Sequence, residues 1–255
     1  MSEEYSETRV IEFSDCDENR RLKIPAMIAM MLQTSEHQLA QADIDADHLV
    51  KQGRGWVVTQ YHFELNKSPH PRQRVIIKTL ASGYNRFFTY RDFKICDENG
   101  DVLVQAMSRW VLFDLHKRTM IPTDMSLMTP LEVPLMKRLP HFAKIRRLPS
   151  YQQERQYRVR YDDIDTNHHL TNSHYFSWLI DLYDRDFLRT HVPATIDVQF
   201  DKEVLYGESP IAYLTLTDGI AKQAIISKDG REHAVCQIAW RLKYNFSATI
   251  GSQWE

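Results

Sequence analysis

A ten-residue pattern occurs twice in this 255-residue chain, and that recurrence restricts its architecture more than any other feature. "FSDCDENRRL" opens at Phe13 and "YDDIDTNHHL" at Tyr161, a shift of 148 that superposes Asp15 on Asp163, Asp17 on Asp165, Asn19 on Asn167 and Leu22 on Leu170. An amphipathic helical stripe follows each copy. Ile24, Met27, Ile28, Met31, Leu32, Ser35 and Leu39 form the first; Phe176, Leu179, Ile180, Tyr183 and Phe187 form the second, in one predicted helix reaching Phe187. Four strand-like segments come next in each half, ending on "DENGDVLVQAMSRW" at Trp110 and "SKDGREHAVCQIAW" at Trp240. The shift there is 130, so the second copy has lost 18 residues (148 − 130), and the loop "ADIDADHLVKQGRG" is the expected excess.

A helix followed by antiparallel strands can bury its stripe in a sheet that curls around it, and two such units can pair as subunits of a dimer do. The expected fold class is α+β: an antiparallel sheet wrapped around a long helix, repeated in tandem. Residues 1–120 form the first expected domain, 121–150 a linker and 151–255 the second domain, which carries the candidate loop. The segment "TMIPTDMSLMTPLEVPLMKRLP", with four prolines and no sustained period, reads as connector.

Composition narrows the function classes. At 43% hydrophobic and 26% charged the chain is of ordinary globular type, and its formal net charge of −2 supplies no field for non-specific nucleic-acid binding. No apolar run of membrane-spanning length occurs, and "MSEEYSETRV" lacks the basic start and apolar run of a secretory signal, so a cytoplasmic location is expected. Cys16, Cys96 and Cys236 have no C-x-x-C spacing and read as reduced, buried thiols. One local basic stretch, "MKRLPHFAKIRR", carries five Lys or Arg residues and reads either as a dock for an acidic partner or as a solvated connector.

The chemistry-bearing residues gather ahead of the second helix. Asn172 or Ser173 suits an N-cap, and a reacting oxygen beside that terminus would meet backbone N–H donors and the positive end of the helix dipole. Upstream lie Asp163, Asp165, Asn167, His168 and His169. A histidine transfers protons near neutral pH, a carboxylate such as Asp165 can fix its tautomer, and Asn167 can hold a water or carbonyl without titrating. The alternative is that the acids and amide only tie down a loop through backbone hydrogen bonds. The repeat separates these roles: the first copy has Arg20 and Arg21 where the second has His168 and His169, so the histidines are what the second copy adds and one active site per chain is expected. Asp163, Asp165, His168 and His169 include acceptable metal ligands, but adjacent histidines on an extended segment diverge and no H-E-x-x-H helix or cysteine set accompanies them, so no metal is expected. Glu203, in "VQFDKEVLYGES", is a candidate base for a hydrolytic water. Strand parity puts it on the face opposite Ile196, Val198 and Phe200, so it can act only if that face lines a cleft or the strand bends.

At "DIDTNHHLTNSHYFSWLID" together with "FDKEV" the chain resembles acyl-acyl carrier protein thioesterases, plant and bacterial enzymes that release fatty acids from acyl carrier protein. The resemblance implies a tandem (double) hotdog fold across nearly the whole chain, and puts the family's Asp, Asn and His on Asp165, Asn167 and His169 and its water-activating glutamate on Glu203. Many plant members have a cysteine after that glutamate. Here Val204 follows, which argues for direct attack by water rather than an acyl-enzyme. The implied partner is acyl carrier protein bearing a phosphopantetheine-linked acyl chain; no cofactor, nucleic acid or membrane is expected, and a homodimer is left open. Met27, Ile28, Met31 and Trp56 are candidate acyl-tunnel walls that could equally be core. An acyl-coenzyme A thioesterase, a dehydratase of the same fold and a non-catalytic acyl-binding module are the rival readings.

Overall fold

The computed structural model describes residues 2–165 and 170–243. Its first half runs β1 (Tyr5–Val10), a 3-10 turn (Phe13–Asp15), α1 (Ile24–Ala40), α2 (Ala46–Lys51), β2 (Arg54–Leu65), β3 (Arg74–Tyr84), β4 (Thr89–Cys96), β5 (Val102–Asp114), β6 (Thr119–Ile121) and α3 (Met125–Met128). After the connector come β7 (Gln153–Gln156), a second 3-10 turn (Tyr161–Asp163), α4 (Asn172–Ile180), α5 (Arg185–Thr190), β8 (His191–Phe200), β9 (Ile211–Thr217), β10 (Ile220–Ile226) and β11 (Glu232–Leu242). Every ladder in the sheet is antiparallel.

The two halves share one eleven-stranded sheet, ordered β1-β3-β4-β5-β2-β8-β11-β10-β9-β7, with β6 appended to β5. They join where β2 pairs with β8, Gln60 opposite Gln199 and Glu64 opposite Thr195. At this seam the His62 Nδ1 lies 2.7 Å from Asp197 Oδ1, and that bond is the main reason the imidazole pKa is raised. The helices α1 and α4 pack against each other inside the curl of the sheet, as expected for a double hotdog. Met27, Ile28, Met31 and Leu39 are buried on α1, and Tyr175, Phe176, Trp178 and Leu179 on α4. Phe63 and Phe176 meet edge-on with ring centroids 5.9 Å apart, both fully buried.

Three local expectations change. The second helix stops at Ile180 and resumes as α5 at Arg185, because Leu182 and Tyr183 turn inward between them; Tyr183 accepts a hydrogen bond from Trp240 Nε1 at 3.1 Å, and its hydroxyl donates to the side-chain oxygen Oε1 of Gln223 at 3.2 Å. The N-cap of α4 is Thr171 and makes no side-chain cap bond; its own N–H is tied back to Asp163 O at 2.9 Å, which draws the helix start one residue earlier. The proline-rich segment is not all connector: α3 buries Leu127 and Met128 with Leu39, Ile44, Leu49, Tyr84 and Leu112. Beyond it the basic stretch crosses the surface with Lys137, Arg138, Lys144, Arg146 and Arg147 exposed, while Phe142 stacks on Tyr90. Among the described residues no helix is long and apolar enough to cross a membrane.

Candidate functional site

The repeated decapeptides fold alike. Each starts with a 3-10 turn whose third residue, Asp15 or Asp163, accepts the backbone N–H three residues before it, at 3.1 and 2.9 Å. Each loop closes with an isolated β-bridge, Cys16 with Leu22 and Ile164 with Leu170. In the first copy Asp17 Oδ1 takes the N–H groups of Asn19 and Arg21, both at 2.9 Å. Asp165 holds the corresponding sequence position. In the second copy Asp163 is buried; burial would raise its carboxyl pKa, but hydrogen bonds from Arg160 outweigh that and hold it below the usual carboxylate range. The bonds come from the Arg160 backbone N–H and guanidinium, the shortest side-chain one 2.8 Å from Nη2 to Oδ1.

Asp165 lines a cleft of about 730 Å³ together with Leu170 and Asn172 from the start of α4. Asn167, His168 and His169 lie outside the described residues. Glu203 enters the same cleft. The strand β8 ends at Phe200 and the chain bends through Asp201–Lys202, so the parity objection does not apply. Two neighbours fix the backbone there: the buried His233 has its Nδ1 3.1 Å from Lys202 O and 3.0 Å from Glu203 O, and Val204 N–H donates to Tyr175 Oη at 3.1 Å. Burial pushes the Tyr175 phenol pKa up, so the hydroxyl stays neutral. Arg118, from the first half, donates from Nε to Glu203 Oε1 at 2.9 Å.

The first copy has no counterpart of this arrangement. Pairing of β2 with β8 relates the central strands by a shift of 135 (195 − 60), which sets Ser68 opposite Glu203 in the repeat. Arg21, at the position of His169, is used structurally: it pairs with Asp17 and donates to His191 O at 2.9 Å and Leu188 O at 2.6 Å.

Away from the polar mouth the cleft is walled by Leu32 of α1, Trp56 and Val58 of β2, Phe88, Trp110 and Phe200. Leu32, Glu36, Trp56 and Trp110 also line a second, adjoining void of about 60 Å³, whose other walls include Leu39, Ile44, Ala81, Leu127, Leu131 and Val133. Trp56 is therefore a wall residue, whereas Met27, Ile28 and Met31 belong to the core cluster. One side of the void is polar. Arg91 is buried, donating from Nη1 to Gln38 at 2.6 Å and Thr79 at 2.9 Å, and burial lowers its pKa to about 10. Glu36 accepts the Ala46 N–H at 3.0 Å, and burial raises its carboxyl pKa. Sequence periodicity did not single out Arg91, Arg118, Arg160, Tyr175 or His233. Gln38, a polar side chain on the buried face of α1 that accepts from Arg91, is the signal that could have found that arginine.

Comparison with known proteins matches two family descriptions in succession, the acyl-ACP thioesterase N-terminal domain over residues 2–129 and the C-terminal domain over residues 147–242. A protein described as an oleoyl thioesterase from Lactobacillus plantarum is 29% identical and superposes with a TM-score of 0.90, covering 94% of this chain and 97% of that one. A 12:0-ACP thioesterase from Umbellularia californica, 17% identical, shares the fold with a TM-score of 0.85 over 94% of this chain and 98% of its own. An oleoyl-acyl carrier protein thioesterase from Arabidopsis thaliana is 24% identical over 160 residues, 58% of this chain and 44% of that protein. The chain spans about half the length of the curated relatives it matches.

Proposed function

The chain belongs to the acyl-ACP thioesterase family, and from that premise we propose that it hydrolyses the thioester of a fatty acid carried on acyl carrier protein. The observation that carries the reading is that Asp165 and Glu203, 38 residues apart in sequence (203 − 165), line one cleft whose other walls include Leu32, Trp56, Val58, Trp110 and Phe200. Carboxylates and apolar walls in one cleft suit a substrate with one reactive carbonyl and a long hydrocarbon tail.

In the proposed reaction a water attacks the carbonyl carbon, the carbon–sulfur bond breaks, and the proton released by the water goes to the departing thiolate. The products are the free acid and the carrier thiol. Glu203 and His169 position the water and manage its proton. Asp165 orients the loop, a role supported by the way Asp17 gathers two backbone N–H groups in the first copy. Asn167 helps hold the reacting group. Backbone N–H groups at the start of α4, where Asn172 lines the cleft, polarise the carbonyl as its oxygen gains negative charge. A water nucleophile is consistent with the side chains present: Val204 follows the glutamate and is buried.

Release of free thiol and fatty acid from a panel of acyl carrier protein thioesters, beside matching acyl-coenzyme A thioesters, tests the proposal. The expected result is faster cleavage of the carrier-bound series and a fall of roughly 100- to 10,000-fold in His169→Ala and Glu203→Gln. Thiol release from neither series by folded protein would sink it. Preference for the coenzyme A series would reassign the substrate.

A further inference from the structure

The glutamate proposed to activate water is held at two ends by different halves of the chain. Its backbone belongs to the second half, where His233 holds Lys202 O and Glu203 O, on either side of its Cα, and Tyr175 takes the Val204 N–H. Its carboxylate head is met from the first half. Arg118 approaches Oε1 with Nε at 2.9 Å and also with Nη2, so two N–H groups converge on one oxygen, while Oε2 is buried. The side chain of Glu203 remains partly exposed at the cleft.

The segment that delivers Arg118 is built for a fixed position. Residues 115–118 make the turn between β5 and β6, closed by the pairing of Asp114 with Thr119. Asp114 Oδ1 accepts the N–H groups of His116 at 3.0 Å and Lys117 at 2.8 Å, and Leu115 N–H donates to Gly53 O at 2.9 Å. Arg118 itself has φ of 52°, the left-handed region in which a residue with a β-carbon is strained. Glycine would relieve that strain at this turn, yet the residue there is long and charged and spans the seam.

We propose that Arg118 is a positioning residue for hydrolysis: it pins Oε1 of Glu203 and so holds the carboxylate in one orientation at the cleft. The inference rests on the reading of Glu203 as the water-activating group. It also makes turnover depend on the first half, which supplies the clamp as well as the acyl walls. Ser68, at the repeat-related position, has no carboxylate to clamp, in keeping with a single site.

The test compares unmodified protein with Arg118→Ala, Arg118→Lys and Glu203→Gln on two substrates, an acyl carrier protein thioester and the same acyl group on N-acetylcysteamine, which has neither carrier nor phosphate. Charge-assisted hydrogen bonds of this kind suggest a loss of about 10- to 100-fold in kcat for Arg118→Ala, with KM changed less than about threefold and the same loss on both substrates. Lysine, with its point charge, should restore part of the rate, and so should millimolar guanidinium added to the alanine variant. Thermal melting checks folding, and the lysine variant carries the comparison if alanine unfolds. A raised KM at unchanged kcat, seen only with the carrier substrate, would overturn the proposal and make Arg118 a contact for the carrier or its phosphate. Full activity in Arg118→Ala beside an inactive Glu203→Gln would overturn this inference alone; full activity in Glu203→Gln would overturn the reading of Glu203 and this inference with it.

Discussion

Replacing Leu32 with tryptophan tests whether the acyl chain runs through the first half. Leu32 lines both the cleft and the smaller cavity beside it, so a larger side chain at this point of α1 would fill space where the two adjoin. The void measures about 60 Å³. One water-sized group needs roughly 10–15 Å³ of such space, so about four methylenes fit. At about 0.8 kcal/mol for each buried methylene, sealing the void removes about 3 kcal/mol from the longest chain that reaches it, roughly 200-fold in kcat/KM. The assay is kcat/KM against chain length for a saturated series of acyl carrier protein thioesters. The longest well-used substrate should fall by about 100-fold or more, while one about four carbons shorter stays within a few-fold. Overpacking costs about 1–3 kcal/mol, so the melting temperature should drop without loss of the folded state. An unmoved chain-length profile in folded Leu32→Trp protein would refute the path past Leu32. The buried Arg91 and half-buried Glu36 on the polar side of the void give a physical reason for chains to stop there, since a terminal methyl offers neither a hydrogen bond.

The seam pair His62–Asp197 should make stability depend on pH. The His62 pKa is raised in the fold, so its contribution is complete below the unfolded histidine value of about 6.5 and fades as pH rises through the raised value; melting at pH 6 against pH 9 should show a decrement of under about 1 kcal/mol, smaller in Asp197→Asn, where only Glu64 still holds the imidazolium. An equal decrement in that variant would assign it elsewhere. Arg21→Ala should cost about 2–3 kcal/mol in denaturant unfolding, because it strips hydrogen bonds from the Leu188 and His191 carbonyls and the charge partner of Asp17, with turnover per folded chain unchanged. Unaltered stability would show that the Arg21 contacts across the halves are energetically idle.

The parts of the fold legible in the sequence were those that bury one face. The stripe on α1 and the long strands β2, β5 and β11 carry apolar periods because they face the core. The strands β1 and β7 escaped notice for the opposite reason: "YSETRV" has no buried residue and "QERQ" is exposed throughout, so neither leaves a hydrophobic signature. Edge pairing by backbone alone writes little into side chains. The break between α4 and α5 was hidden because Tyr183 and Phe187 keep helical spacing while both stack near Trp240. At the site, Asp165 and Glu203 were identified separately and share one cleft. Arg118 was illegible: a turn arginine at positive φ has no pattern until the turn is laid across the seam.

The internal repeat also explains why doubling the fold need not double the chemistry. A pair of identical subunits would place the same loop at both ends of the β2–β8 seam. Fusion into one chain lets the two ends diverge, and here each departure has its own physical use. At the first end an arginine replaces a histidine and ties α5 to the first loop through two backbone carbonyls, while a serine stands where the other end has a glutamate. The longer loop after α1 in the first half forms α2, buries Leu49 fully and gives Glu36 a backbone N–H partner beside the smaller cavity. Restoring histidines by Arg20→His and Arg21→His would therefore lose the carbonyl contacts without gaining the carboxylate. Such a chain should be less stable and no faster, with one reactive site per chain by single-turnover counting. A second site in that count would mean that the loop histidines act without a glutamate partner, and the division of labour between the halves would have to be redrawn.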